Sequence, residues 1–141
     1  MIEHIEHNHQ LFAIIIYHTF KKPGISFVTP DDLSQQLAYM VHPAGKKIDP
    51  HVHNPVERSV TYTQEVLFIK KGLLRVDFFD MEHNYLESRT LSSGDVILLA
   101  TGGHGFEVLE DLEMIEVKQG PYLGDTDKTR FEGIYKNDSC E

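Results

Sequence analysis

Glu65-Val66-Leu67-Phe68-Ile69-Lys70-Lys71-Gly72-Leu73-Leu74-Arg75-Val76-Asp77-Phe78-Phe79 is the stretch on which the fold reading turns. Both sides of Lys70-Lys71-Gly72 are rich in β-branched and aromatic residues, and two such runs about a glycine-containing turn predict an antiparallel hairpin. In the second run Leu74, Val76 and Phe78 alternate with Arg75 and Asp77, which gives one apolar face and one charged face. Outward from this stretch the same signals recur. Residues 11–17 read as a buried strand, ended by Lys21-Lys22-Pro23-Gly24, and residues 25–28 as a second short strand. Thr29-Pro30-Asp31-Asp32 offers a cap, a proline and two acids, which predicts one or two helical turns. Residues 36–42 read as a strand before the turn at Pro43-Ala44-Gly45. Downstream, residues 87–91 return to the sheet, Ser92-Ser93-Gly94-Asp95 turns the chain, and Val96-Ile97-Leu98-Leu99 is apolar throughout. Residues 106–109 and 114–118 are expected to pair across Glu110-Asp111. About nine short strands and no convincing long helix point to an all-β barrel or sandwich.

Chemistry-bearing residues sit just ahead of the central stretch, in Gly45-Lys46-Lys47-Ile48-Asp49-Pro50-His51-Val52-His53. In extended chain His51 and His53 point the same way and can grip one metal ion. Glu65 can add a carboxylate from a neighbouring strand. His104, among Gly102, Gly103 and Gly105 after the apolar run, can add a third imidazole where the backbone is free to come close. Glu57, four residues after His53, is a rival to Glu65, but it lies in a polar, proline-bounded insertion. Met1 to Gln10 carries His4, His7 and His9 and reads as a frayed terminus of solvated histidines, with a metal-binding cluster as the alternative.

The spacing of these residues resembles the cupin superfamily. Gly45, His51, His53, Glu65 and Gly72 match its first motif, G-x5-H-x-H-x3-4-E-x6-G, and Gly94, Gly102 and His104 match part of its second, G-x5-P-x-G-x2-H-x3-N. The chain departs from the pattern in its longer spacer between His53 and Glu65, in Ala100 where proline is usual, and in His104 coming one residue early with Val108 in place of asparagine. The resemblance covers roughly residues 36 to 119 and implies a double-stranded β-helix, or jelly-roll barrel, of six to eight strands. It implies a divalent transition metal (Fe, Mn, Ni, Zn or Cu) held by His51, His53, Glu65 and His104, with Phe68, Phe78 and Phe106 walling the mouth. By the same analogy the protein is a homodimer. Residues 115–122 with Asp127-Lys128 and Arg130-Phe131 are more loosely similar to small cupins of bacterial surface-polysaccharide and nucleotide-sugar pathways, which tilts the ligand towards a sugar.

An open metal position would suit Lewis-acid isomerisation or epimerisation, or a dioxygenase; a non-catalytic small-ligand module and a purely structural metal are the other readings. Possible catalytic groups are Glu116, Lys118, Arg58 and Tyr62. Met114, Glu116 and Lys118 share a face opposite Ile115 and Val117, and that face meets either the cavity or water. Arg58 either receives an anionic group or is a solvated loop residue.

Composition narrows the partners. The 141 residues fit a single domain, with a core over about residues 11–119 and a C-terminal extension over 120–141. Asp and Glu outnumber Lys and Arg by 22 to 13, for a formal charge of −9, and the basic residues are scattered. Nucleic acid and anionic membrane are therefore discounted, leaving a small molecule as partner. A single cysteine, Cys140, with no apolar run long enough to span a bilayer, predicts a cytoplasmic protein.

Overall fold

The structure, a computed structural model, describes residues 1–136, so Cys140 lies outside it. Among the described residues eight strands run in chain order: β1 (Ile2–His7), β2 (Gln10–Ile16), β3 (Gly24–Phe27), β4 (Ala38–Val41), β5 (Glu65–Phe79), β6 (Tyr85–Ser92), β7 (Val96–Leu99) and β8 (Gly103–Lys118). A 3-10 turn follows at Gly124–Asp127. Six strands form one antiparallel sheet in the order β1-β2-β7-β5-β6, with β8 also on β5, while β3 and β4 make a separate pair. The all-β expectation holds, and the main sheet is curled into a half-barrel. No helix among the described residues is long and apolar enough to cross a membrane.

The expected hairpin at Lys70-Lys71-Gly72 is not formed. Residues 65–79 are one strand, and the two runs expected to pair across Glu110-Asp111 are likewise one strand, β8. The ribbon is bent where they would have turned. From Ile69 to Leu74 is five residues on β5, whereas their partners Met114 and Val108 are six apart on β8, so the register slips by one. A bulge of this kind bends its strand and increases the twist. It also switches which residues point inward. Leu67 and Ile69 are fully buried before the bend, and Leu74, Val76 and Phe78 after it. Phe68 therefore faces outward and is 39% exposed, so it is not a wall residue, while Phe78 is core rather than mouth.

Gly72 occupies the bend at φ +96°, and a Cβ there would stand 2.1 Å from the carbonyl oxygen of Asp111. Only glycine meets both conditions. The turn between β6 and β7 locks the same corner. Gly94 donates its N–H to the Ile69 carbonyl, Ile69 donates to that of Asp95, and the Ser93 hydroxyl donates to that of Lys70. Asp95, 2% exposed, accepts from the backbone N–H groups of His18 and Ser92 and thereby ties this turn to the end of β2. A buried carboxylate so supplied with donors is a structural group.

Because the ribbon bends, β6 swings round towards β1. The two share no backbone ladder and are joined by side chains. Arg89 meets Glu3 through two bonds of 2.9 and 3.0 Å and also reaches Glu87, which contacts His7. Ile5 closes the core beneath with Phe12, Ile15, Leu67, Leu91 and Ile97. The N-terminus is thus a strand and not a frayed end, and the core begins at Ile5 rather than at residue 11. Asn8 and His9, at φ 50° and 62°, form the two-residue turn that returns β1 onto β2.

Two smaller expectations also change. Thr29-Pro30-Asp31-Asp32 makes turns and no helix, because the Thr29 hydroxyl is engaged with the Gln36 side chain and the Leu37 N–H instead of capping a first turn. Residues 42–63 form no strand and are almost wholly exposed.

Gly72→Ala should lower stability by about 1–3 kcal/mol, from left-handed strain and collision with Asp111. Gly45→Ala, at φ +88° with nothing within 4 Å, should cost less, and denaturant unfolding of the two variants compares them. Arg89 holds the Glu3 carboxyl below its ordinary value of 4.5, so this pair stabilises the fold above that pH and fades as acid carries Glu3 through its lowered value. Burial, then Glu3, raises the Tyr17 hydroxyl to about 12, so its contribution is complete below the ordinary 10 and is lost as pH rises through about 12. Glu3→Gln should therefore flatten the acid limb of melting temperature against pH and weaken the alkaline one.

Candidate functional site

Glu65 and Phe78 are thirteen residues apart on β5, and the β8 partner of Phe78 is His104. In a straight ribbon this would hold Glu65 and His104 roughly 40 Å apart. The bend brings them to 3.6 Å, measured from His104 Nε2 to Glu65 Oε2. Both point to the inner side of the half-barrel, since Glu65 shares its face with buried Leu67 and His104 shares that of buried Phe78.

The inner row of β8 completes the surroundings. Glu65 lies opposite Lys118 and Leu67 opposite Glu116, so Met114, Glu116 and Lys118 are on the cavity side, with Ile115 and Val117 outside. Lys118 Nζ stands 3.9 Å from Glu65 and 3.3 Å from Asp127. Asp127 in turn accepts from the Thr63 hydroxyl. Phe106 is on the same inner row as His104, with ring centroids 5.4 Å apart. In the sequence Asp127 stands out only within the looser C-terminal similarity and is not assigned to the site. The two acids in the 3-10 turn are the other local signal of it.

The electrostatics favour an ionised Glu65. Its side chain is only 12% exposed, which by itself would raise its pKa, yet His104, with lesser help from Lys118 and Glu116, holds it below 4.5. Lys118 is raised, first by Asp127 and then by Glu65 against the cost of desolvation. The cluster is thus a carboxylate flanked by an imidazole and an ammonium, able to accept a proton or a hydrogen bond from a polar ligand and to receive an anionic one.

The remaining site residues are elsewhere. His51 and His53 lie in the exposed segment of residues 42–63 and meet edge to face, with ring centroids 5.2 Å apart. His51 Nδ1 is 2.9 Å from the Asp49 carbonyl oxygen, so it donates there and leaves Nε2 as the open donor atom. Among the described residues no three His, Cys, Asp or Glu side chains come close enough to share one ion. Two pairs therefore stand in place of the expected quartet. Glu57 is exposed and makes no polar contact among the described residues. Arg58 and Tyr62 line an open groove of about 1190 Å³ with Asp31, Gln36, Thr63 and Asp127. That groove adjoins the Glu65 cluster through Thr63 and Asp127 rather than containing it.

Removing Lys118 with Lys118→Met should move the Glu65 titration upwards, and His104→Ala should move it further, because His104 has the larger effect. Carboxyl ¹³C NMR titration measures both. A search of family models, of curated proteins and of solved structures finds no match to this chain.

Proposed function

We propose that this chain is a cupin-type barrel protein that binds, or acts on, a small polar and anionic molecule of sugar-like character at the Glu65–His104 centre, with a divalent transition metal as its cofactor. The observation that carries the reading is the 3.6 Å approach of Glu65 to His104. These are the carboxylate of the first cupin-like motif and the histidine of the second, and only a folded-over ribbon brings them together.

The donor set fits a transition metal in its chemistry. Glu65 is held ionised, and the His51 ring is oriented with Nε2 open, as a ligand held by a second hydrogen bond would be. Its arrangement fits only in part, because Glu65 and His104 form one pair and His51 and His53 another. His53 is twelve residues from Glu65, a length of chain that spans up to roughly 40 Å when extended, so reach does not keep the pairs apart. When bound, such an ion supplies Lewis-acid polarisation of a ligand oxygen, or redox chemistry if it is iron, manganese, nickel or copper.

The chain's own residues have separable tasks. Glu65, as a carboxylate beside an imidazole, takes up or returns a proton at Oε1 or Oε2. Lys118 neutralises charge on a bound anion and keeps Glu65 ionised, while Asp127 fixes the ammonium. Arg58, in the groove beyond Thr63, is placed to receive a phosphate or carboxylate through its planar fork. Phe106 and Val108, on the inner row of β8, offer apolar surface to a sugar ring.

A second reading rests on the direct approach of His104 to Glu65: the pair works as an acid–base dyad for isomerisation or epimerisation with no metal. One experiment separates the two. Elemental analysis and calorimetric titration with Mn²⁺, Fe²⁺, Ni²⁺ and Zn²⁺ are run on the native chain, on Glu65→Gln/His104→Ala and on His51→Ala/His53→Ala. The metal reading expects near-stoichiometric uptake that both double variants abolish. Uptake unaffected by either variant, or none after reconstitution, overturns it. If sugar phosphates then raise the melting temperature of the native chain and not of Glu65→Gln/His104→Ala, the dyad reading stands.

A further inference from the structure

The carboxylate of Asp127 stands where the charge of an anionic ligand would. It lies 3.3 Å from the Lys118 ammonium, nearer than Glu65 at 3.9 Å, and it accepts from the Thr63 hydroxyl. A phosphate oxygen would ask for the same two donors. With Thr63, Asp127 also forms the partition between the groove of about 1190 Å³ and the Glu65 cluster. A ligand arriving through the groove therefore meets an internal carboxylate already seated on the cation it needs.

Little else holds that carboxylate in place. The turn at Gly124–Asp127 has no buried residue and no side-chain cap, and Tyr122 and the Asp125 side chain beside it are 90 and 97% exposed. Among the described residues its other side-chain contacts stay within the segment: the Thr126 hydroxyl donates to the Leu123 carbonyl, and Arg130 faces Asp125 at 4.0 Å. The segment is fixed at its two ends instead. At one, Gln119 donates its N–H to the Gln64 carbonyl and accepts from the Gln35 side chain. At the other, the Phe131 ring stacks on His83 at 3.9 Å, and Ile134 makes backbone bonds of 2.8 Å to His83 and Tyr85. Residues 120–130 thus form a loop between two posts, tied to the body by the polar contacts of Asp127. Lifting it leaves every pairing of the main sheet intact.

We infer that Asp127 is an internal anion that gates the Glu65–Lys118 cluster: the phosphate group of a small ligand displaces it from Lys118 and Thr63, the loop of residues 120–130 lifts, and groove and cluster become one site. The inference rests on the reading of that cluster as an anion-binding centre. Phosphate brings more charge and more acceptor oxygens than a carboxylate. Asp127 has the advantage of its tether, which gives it an effective concentration on the order of millimolar. A ligand's apparent affinity is then reduced by the fraction of chains in which Asp127 is displaced.

Calorimetric titration of the full chain with inorganic phosphate tests this, with far-UV circular dichroism to check folding and Asp127→Ala as a second variant should Asp127→Asn not fold. Asp127→Asn keeps the shape and removes the charge, so it should bind phosphate about tenfold more tightly than the native chain. Lys118→Met should bind it about tenfold more weakly or not at all. Trypsin gives a readout that a mere brace would not move. In the native chain phosphate should speed cleavage after Lys128 and Arg130 about threefold or more relative to cleavage after Lys46, and Asp127→Asn should show the faster rate without phosphate. Equal or weaker phosphate binding by Asp127→Asn, or cleavage that phosphate slows or leaves unchanged, overturns the gate. If Lys118→Met still loses phosphate in that case, the anion centre stands without a gate. Phosphate bound by neither the native chain nor Asp127→Asn, or bound regardless of Lys118→Met, overturns both.

Discussion

The one-residue slip between β5 and β8 at Gly72 is the constraint on which the rest of the molecule depends. A 15-residue strand paired along its whole length would be a stiff ribbon roughly 50 Å long, with no interior. With five residues on one strand set against six on the other, the ribbon folds over and its buried face passes from odd to even positions. Each half then takes a different neighbour on its second edge, β7 before the bend and β6 after it. Gly72 and the Asp111 carbonyl leave no room for a side chain at the crossing point. The Ser92–Asp95 bonds hold the corner from the other edge.

The same bend creates the candidate site. Glu65 and His104 belong to the two remote ends of the ribbon and meet only because it closes on itself. Low exposure, an adjacent imidazole and an ammonium anchored by Asp127 then set the charge of Glu65. Burial works against that ionisation and the two neighbours outweigh it, which is how a charged cluster is maintained at the rim of an apolar interior. The sheet's curl is completed on the far side by Arg89, Glu3, Glu87 and His7, where side chains do the joining that backbone pairing does elsewhere.

The half-barrel is also open, and its openness has a pattern. The inner row of β8 presents Phe106 and Val108 beside the polar cluster, while the outer row presents Leu109, Ile115 and Val117. One strand thus carries two exposed apolar rows on opposite faces, separated by the alternation of its side chains. Residues 42–63, which carry His51, His53 and Arg58, adjoin this open side through the groove at Thr63.

Much of this was legible from residue types alone. Alternation along Leu74, Val76 and Phe78 identified their buried face, the apolar run at residues 96–99 marked the segment that becomes β7, and the row of Met114, Glu116 and Lys118 was seen to share one side. Glu65 and His104 were legible as partners only through motif spacing. The continuity of β5 through Lys70-Lys71-Gly72 was not legible, because a glycine at positive φ serves a tight hairpin turn and a bulge equally well, and the choice rests on which strands flank it. The strand at Ile2–His7 was hidden by its polar residues, of which Glu3 and His7 pair with β6, far away in the chain. Local pattern by itself determined that this is a β protein and which faces are apolar, since both follow from the two-residue period of an extended chain. Tertiary structure alone decided the bend, the closure of β1 on β6 and the meeting of Glu65 with His104, since each depends on contacts between residues tens of positions apart.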